Sequence, residues 1–152
     1  MDKYELVPEL RECDAHNGGD MSPESWAYSV GTYSLAVGYA NLIWPKFIEI
    51  QGMIFRDDVS EEDVVAWLAS ASDNKKSVES MLNHLHIQDI QHPGIWTNAT
   101  TTQIRYLGET FRASWSAKLA LDFPNRRFSV EYFDSDTDDL SESQVLFYEL
   151  RD

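Results

Sequence analysis

The sequence predicts an α+β fold in which about three helices pack on one antiparallel sheet of four to five strands. Apolar residues recur at helical spacing in the first 90 residues, and the period changes to two after about residue 102. Strands that cluster after helices favour an antiparallel sheet over alternating βαβ units. A chain of 152 residues with 43% hydrophobic residues is sufficient for one domain with a real core.

The first predicted helix begins after Ser22, a favourable N-cap, and Pro23 suits its first position. Pro45 biases the preceding residue away from helical geometry, so the helix is expected to end near Leu42. Residues 25–45 carry no charge, but they contain too many serine, threonine, tyrosine and asparagine residues for a membrane span. We therefore expect a buried helix.

The segment "KFIEIQGMIF" predicts a strand that is buried on both faces or bulged at Gly52. A second helix follows, in which Ser60 and Asp63 come close to a capping box. A third helix is predicted from a cap at Asp73 to near His86. The apolar faces comprise Val64, Trp67 and Leu68 in the second helix, and Val78, Met81, Leu82 and Leu85 in the third.

The C-terminal third alternates between apolar and polar residues, which predicts strands. A long half-buried strand is expected over 110–121, and residues 102–108 could supply another. A four-residue loop would pair this strand with the next, placing Lys118 opposite Glu131. A final strand is expected over 144–150. The inward-facing side chains would be Phe111, Ala113, Trp115, Ala117, Leu119 and Leu121, and then Phe128, Val130 and Tyr132.

The polar first twenty residues and the Gly18-Gly19 pair predict that residues 1–19 form a loosely attached arm, followed by a single α+β domain over 20–152. The lone Cys13 excludes an internal disulfide, which suits a reducing compartment. The N-terminus lacks the apolar core of a signal peptide. We therefore expect a cytoplasmic protein.

The chain is strongly acidic, with a net charge of −14 from 26 acidic and 12 basic residues. This charge argues against binding to nucleic acid or to an anionic membrane surface, and it favours a basic protein as a partner. Our first hypothesis is a small acidic binding module that masks or docks a basic protein. Acidic immunity and inhibitor proteins offer a comparison in charge and size alone.

The residues predicted to bind such a partner are acidic side chains and one aromatic anchor: Asp57, Asp58, Glu61, Glu62, Trp96, Asp134, Asp136, Asp138, Asp139 and Glu142. Trp96 lies outside any periodic pattern, so it either plugs the core or anchors a partner. Residues 134–145 resemble a calcium loop, but Asp139 and Val145 stand where glycine and glutamate are required. A solvated hairpin loop is expected instead.

Two alternatives remain open. One is an enzyme with a pocket between helix and sheet, in which Glu49 or a histidine acts as the acid–base group, although an edge carboxylate facing water is the simpler interpretation of Glu49. The other is a structural subunit of a homo-oligomer, joined through an exposed aromatic face.

The motif search predicts no catalytic residue, no cofactor and no metal site. The chain has no G-x-S-x-G, G-x-G-x-x-G or P-loop motif. His84 and His86 are two residues apart on a predicted helix, so they should point in nearly opposite directions. With His92 they do not form a zinc-type spacing.

Overall fold

The computed structural model describes residues 2–91, 99–135 and 140–151. Within these ranges the chain forms helices and two antiparallel sheets, so the α+β class is confirmed. The helices are α1 Lys3–Leu6, α2 Leu10–Asn17, α3 Pro23–Val30, α4 Tyr33–Ile43, α5 Glu61–Ser70, α6 Lys75–Leu82 and α7 Thr101–Asp122. The strands are β1 Phe47–Ile50, β2 Met53–Arg56, β3 Leu85–His86, β4 Phe128–Phe133 and β5 Gln144–Glu149. The described part contains more helices than predicted, and its strands divide between two small sheets.

Residues 47–56 form a tight β1–β2 hairpin, where the sequence predicted one strand. Gln51 and Gly52 make the turn with φ angles of 52° and 75°, the two left-handed positions that a type I′ turn requires. The turn pairs Ile50 with Met53, so both side chains lie on the same face. Even-numbered residues before the turn therefore lie on the same face as odd-numbered residues after it. For this reason the alternation looked imperfect when the segment was interpreted as one strand.

A three-stranded sheet contains β5 at its centre, with β3 on one side and β4 on the other. Its register pairs Val130 with Phe147. The two strands predicted at the C-terminus are confirmed, and Phe128, Val130 and Tyr132 pack against the core as expected. Their partners differ from the prediction, because β4 pairs with β5 and not with an earlier strand.

Residues 101–122 form the long helix α7, so the strands predicted over 102–108 and 110–121 are wrong. The helix begins with a capping box. The Thr100 side chain accepts a hydrogen bond from the backbone N–H of Gln103, and the Gln103 side chain accepts one from the backbone N–H of Thr100. Two backbone N–H groups at the start of the helix are thereby given side-chain acceptors.

The error in the strand prediction arises because Phe111, Trp115 and Leu119 satisfy two periods at once. They share odd parity, but they also recur every four residues, and α7 buries all three on one face. The predicted pairing of Lys118 with Glu131 is also wrong. Lys118 forms an ion pair one turn along its own helix, whereas Glu131 accepts a hydrogen bond from a tyrosine on β5.

The larger apolar cluster lies where α7 covers the sheets, and Trp115 is at its centre. The indole ring makes edge contacts with Phe111 and Phe147 at centroid distances of 5.9 and 6.0 Å. Its Nε1 atom donates a hydrogen bond to the Leu42 carbonyl oxygen at 3.0 Å. This tryptophan therefore connects α7, the sheet and the end of α4.

A smaller cluster lies between the hairpin and α5 and α6, where Met53 packs with Val64 and Val78. These two valines were predicted for the apolar faces of their helices, and both are buried. Trp67 and Met81 were assigned to the same faces but are exposed. Each of these helices therefore buries a narrower stripe than its sequence indicated.

The helix-start signals were correct for α5 and close for α6. The Ser60 hydroxyl accepts the backbone N–H of Asp63, as predicted. The cap of α6 is Asn74, not Asp73, which takes a left-handed φ of 59° in the preceding turn. The helix ends at Leu82, one turn earlier than predicted.

The N-terminal helices have defined contacts. The Lys3 ammonium lies 2.8 Å from the Asp14 carboxylate, and Leu10 is fully buried. Gln103 at the start of α7 donates a hydrogen bond to the Leu6 carbonyl oxygen at 2.9 Å. The division of the chain at residue 19 stays a prediction.

Two glycines in helices provide a matched test of how closely α7 approaches β4. A Cβ atom at Gly108 would lie 2.2 Å from Cε2 of Tyr132, whereas one at Gly38 in α4 would have nothing within 4 Å. We expect Gly108→Ala to lower the free energy of unfolding by about 1–3 kcal/mol, because overpacking outweighs the gain in helix propensity. Gly38→Ala should raise it by about 0.5–1 kcal/mol. Urea denaturation measures both, and equal effects would contradict the close approach.

Candidate functional site

Residues 25–44, named here the uncharged segment, form most of two helices instead of the single helix predicted. The break lies at Gly31, where an added Cβ would be 2.5 Å from the Ala27 carbonyl oxygen. Thr32 then begins α4, because its side chain accepts the backbone N–H of Leu35 at 3.2 Å. The bend therefore depends on a glycine and a new N-cap in succession.

The uncharged segment is exposed, so the predicted burial is wrong. Tyr28 and Tyr33 expose 86% and 94% of their surface, and neither α3 nor α4 contains a fully buried side chain. The segment is held at its C-terminal end, where Leu42 accepts the hydrogen bond from Trp115 and Ile43 packs against the core. A helix that is largely apolar on all sides is normally covered. The absence of a charged face was the reason for predicting burial.

The uncharged segment exposes a large apolar area. A buried aromatic side chain contributes roughly 150–250 Å². With the fractions that they expose, the aromatic side chains of Tyr28, Tyr33 and Trp44 together present on the order of 450 Å². Val30, Leu35 and Val37 are also exposed. Monomeric proteins seldom expose apolar patches larger than a few hundred Å².

A cavity of about 980 Å³ lies beside the base of the uncharged segment. Its walls are mainly apolar and come from α1, α3, α4, α7 and the 3₁₀ helices Ile87–Ile90 and Leu140–Glu142. Glu49, His84 and His86 are not among its lining residues. Glu49 is instead an exposed carboxylate, 3.3 Å from a guanidinium nitrogen of Arg126. Of the described residues, Glu49, His84 and His86 therefore do not meet at this cavity, and His92 lies outside the described ranges.

The rings of His84 and His86 lie together, contrary to the prediction that they point apart. Their centroids are 5.2 Å apart, at an interplanar angle of 88°. The reason is that α6 ends before them, and residues two apart on extended backbone share a face. The described part of the chain contains no group of three or more potential metal ligands, and His92 lies outside it.

A buried carboxylate, Glu79 on α6, connects four parts of the chain. Its oxygens accept hydrogen bonds from the backbone N–H groups of Ile54 and Glu149 at 3.1 and 3.0 Å. The Arg151 guanidinium binds both oxygens at 2.6 and 2.7 Å. This bidentate pairing is the geometry that best satisfies a charged group without water.

Asn83, one turn after Glu79, continues the same line of hydrogen bonds. Its Nδ2 atom donates to the Ile54 carbonyl oxygen at 2.9 Å, and its Oδ1 atom accepts the backbone N–H of Arg56 at 3.2 Å. Glu79 of α6 and Asn83, the residue that follows the helix, therefore take the hydrogen-bonding positions along β2 that a neighbouring strand would occupy.

The ion pairs extend from Glu79 to the surface through Glu149. This carboxylate lies 2.6 Å from Arg126 and 2.7 Å from Arg151. Hydrogen bonds from Arg126 lower the pKa of Glu149 below its usual range. Both arginines also donate to the Gly52 carbonyl oxygen. Because each charge has a partner, we interpret this network as a connection between elements and not as a reactive site.

Four of the predicted partner-binding residues lie together, between the end of β2 and the first turn of α5. Asp58 is 3.1 Å from Arg56 and is partly neutralised. Asp57, Glu61 and Glu62 are exposed and make no ion pair in the part of the chain that the structure describes. These three carboxylates therefore lie at the surface without a described cation beside them.

The second predicted acidic group flanks the β4–β5 connection. Asp134 pairs with Arg105 and accepts a hydrogen bond from Tyr132, whereas Glu142 is exposed. Among the described residues, no ion pair or hydrogen bond joins this group to the first. The remaining predicted residues lie outside the described ranges; they are Trp96, Asp136, Asp138 and Asp139.

Comparison with known proteins assigns no family: no family model matches the sequence, and no curated protein or solved structure gives a significant match. Of the helices in the described residues, none combines the length and the apolarity needed to cross a membrane. The function must therefore be inferred from the residues of this chain.

The contribution of the buried Glu79–Arg151 ion pair to stability can be compared with that of an exposed ion pair of the same type. We expect Arg151→Met to lower the free energy of unfolding by about 2–4 kcal/mol, because it leaves the Glu79 carboxylate buried without its cation. Arg112→Met removes the same type of side chain from an exposed pair with Glu109, and it should cost less than about 0.5 kcal/mol. Chemical denaturation at neutral pH measures both; a small effect at Arg151 would show that Glu79 does not depend on it.

Proposed function

We propose that this protein is a structural subunit that assembles with a second copy of itself through the uncharged segment. The proposal is carried by the exposure of Tyr28 and Tyr33, 86% and 94%, in a stretch without a charged side chain. Covering these rings removes apolar area from water, which is the main driving force of association. A self-complementary contact of this kind is typical of two-fold dimers.

The net charge of −14 favours the uncharged segment as the place where two copies of the protein meet. Two such copies repel each other wherever acidic surfaces approach. Residues 25–44 contribute none of that charge, so contact there gives burial with the least repulsion. Tyr33 and Val37 are four residues apart and share one face of α4, so a single contact could cover both.

A second candidate function, the masking of a basic protein, is supported by the first turn of α5. Asp57, Glu61 and Glu62 are exposed and lack intramolecular cations within the described residues. Such carboxylates would attract a cationic surface and accelerate its encounter. This contact would not compete with self-association, because it uses a different element of the fold.

Self-association is tested by comparing two exposed apolar positions. Val37 in the uncharged segment and Leu121 at the end of α7 expose 60% and 68% of their surface. We expect Val37→Glu to weaken dimerisation at least about tenfold, because it places a charge twice in a symmetric interface. Leu121→Glu makes the same change in charge outside the segment and should have little effect. Sedimentation equilibrium over a concentration series measures both.

The dependence of self-association on salt concentration provides a second test. Higher ionic strength should strengthen self-association, because it screens the repulsion between two acidic copies. A protein that stays monomeric at millimolar concentration, or equal effects of the two substitutions, would contradict the proposal.

The second candidate predicts the opposite dependence on salt. Polylysine, used as a basic probe, should bind more weakly as salt rises. The double change Glu61→Gln and Glu62→Gln should weaken its binding by about threefold to tenfold. The double change Glu9→Gln and Glu12→Gln removes the same charge from another exposed region and serves as the control. Equal losses, measured by fluorescence anisotropy, would exclude a specific role for the first turn of α5.

A further inference from the structure

We infer that the cavity beside the uncharged segment binds a small apolar organic cation, such as an alkyl or aromatic ammonium compound. Its volume of about 980 Å³ lies at the upper end of the range of about 300–1,000 Å³ that is typical of small-molecule sites. Most of the residues that line this cavity lie outside the uncharged segment, whereas Trp26 and Tyr39 belong to it.

The walls of the cavity provide the apolar contact. Isoleucine and leucine side chains from α7 and the two 3₁₀ helices form one apolar part of its lining: Ile87, Ile90, Ile104, Leu107 and Leu140. Ile87 and Ile104 are buried core residues, which makes this part of the wall well fixed. Apolar walls of this kind bind a hydrocarbon group by removing it from water.

The charge of the cavity selects a cation. Glu24 is the one charged residue among the described residues that line it. Hydrogen bonds from its own backbone N–H and from the Ser22 hydroxyl lower its pKa, so it stays ionised at neutral pH. An anionic ligand such as a fatty acid would find no cation among the described lining residues, and it would enter a protein with a net charge of −14.

Three aromatic rings line the same cavity and favour a cation over a neutral ligand. Trp26 belongs to α3, Tyr39 to α4 and Tyr106 to α7. An ammonium group is attracted to the face of such a ring, most strongly to tryptophan. A carboxylate and aromatic side chains around an apolar space are the chemical features by which proteins recognise organic ammonium ions.

The test uses three probes with the same eight-carbon chain and different head groups. Isothermal titration calorimetry with octyltrimethylammonium, 1-octanol and octanoate should give the tightest binding for the ammonium and the weakest for octanoate. We expect the ammonium to bind about threefold to tenfold more tightly than the alcohol. One site per chain is expected, at probe concentrations below micelle formation. Octanoate binding as tightly as the ammonium would overturn the inference, as would the absence of ammonium binding.

Variants locate the site. Glu24→Gln should reduce the preference for the ammonium over the alcohol and leave alcohol binding unchanged, whereas Glu12→Gln, an exposed acid outside the cavity lining, should change neither. Leu107→Trp should fill the cavity and weaken the binding of all three probes. Circular dichroism shows whether this variant folds. If it does not fold, the comparison of Glu24→Gln with Glu12→Gln tests the inference instead. Equal effects of the two glutamate changes would overturn the inference. Titrations repeated on Val37→Glu separate this site from self-association, because that variant should still bind the ammonium.

Discussion

The burial of the Glu79 carboxylate is the constraint on which the rest of this structure depends. A charged group inside a protein must keep hydrogen-bond donors, or its desolvation becomes prohibitive. The donors come from Ile54, Glu149 and Arg151, which are 25, 70 and 72 residues away in the sequence. Their convergence fixes the hairpin, the three-stranded sheet and the C-terminus relative to α6. Such a site was not predictable from the sequence, because nothing local to Glu79 distinguishes it from an exposed acid.

The elements that Glu79 holds together form the base to which the uncharged segment is attached. Trp115 holds the end of α4 through its hydrogen bond to Leu42, while the preceding residues of the segment extend over a surface that leaves them exposed. The apolar composition of the segment predicted burial within the chain, and that prediction is wrong, because Tyr28 and Tyr33 are almost fully exposed. Burial in the same chain and burial in an assembly leave the same pattern in a sequence, since both require only that water be excluded.

The parts of the fold that follow from local signals were predictable, and the long helix was not predicted because two signals conflicted. The Ser60 cap and the alternation in β4 act over a few residues and gave the correct elements. In α7, apolar residues at every fourth position fit both periods, and the alanines between them completed a false alternation. Thr100 and Gln103 have the spacing of a capping box, and this pair could have favoured the helix.

The hydrogen bonds from Glu79 and Asn83 to β2 also have a consequence for aggregation. Exposed strand edges recruit strands from other molecules, and short apolar hairpins are prone to this. On the β2 side, the two side chains occupy the free backbone groups, so an incoming strand has nothing to bind. On the β1 side, the charges of Lys46 and Glu49 act as gatekeepers. We therefore expect the lone acid in this apolar stretch, Glu49, to oppose pairing with strands of other molecules, a role that requires no chemistry.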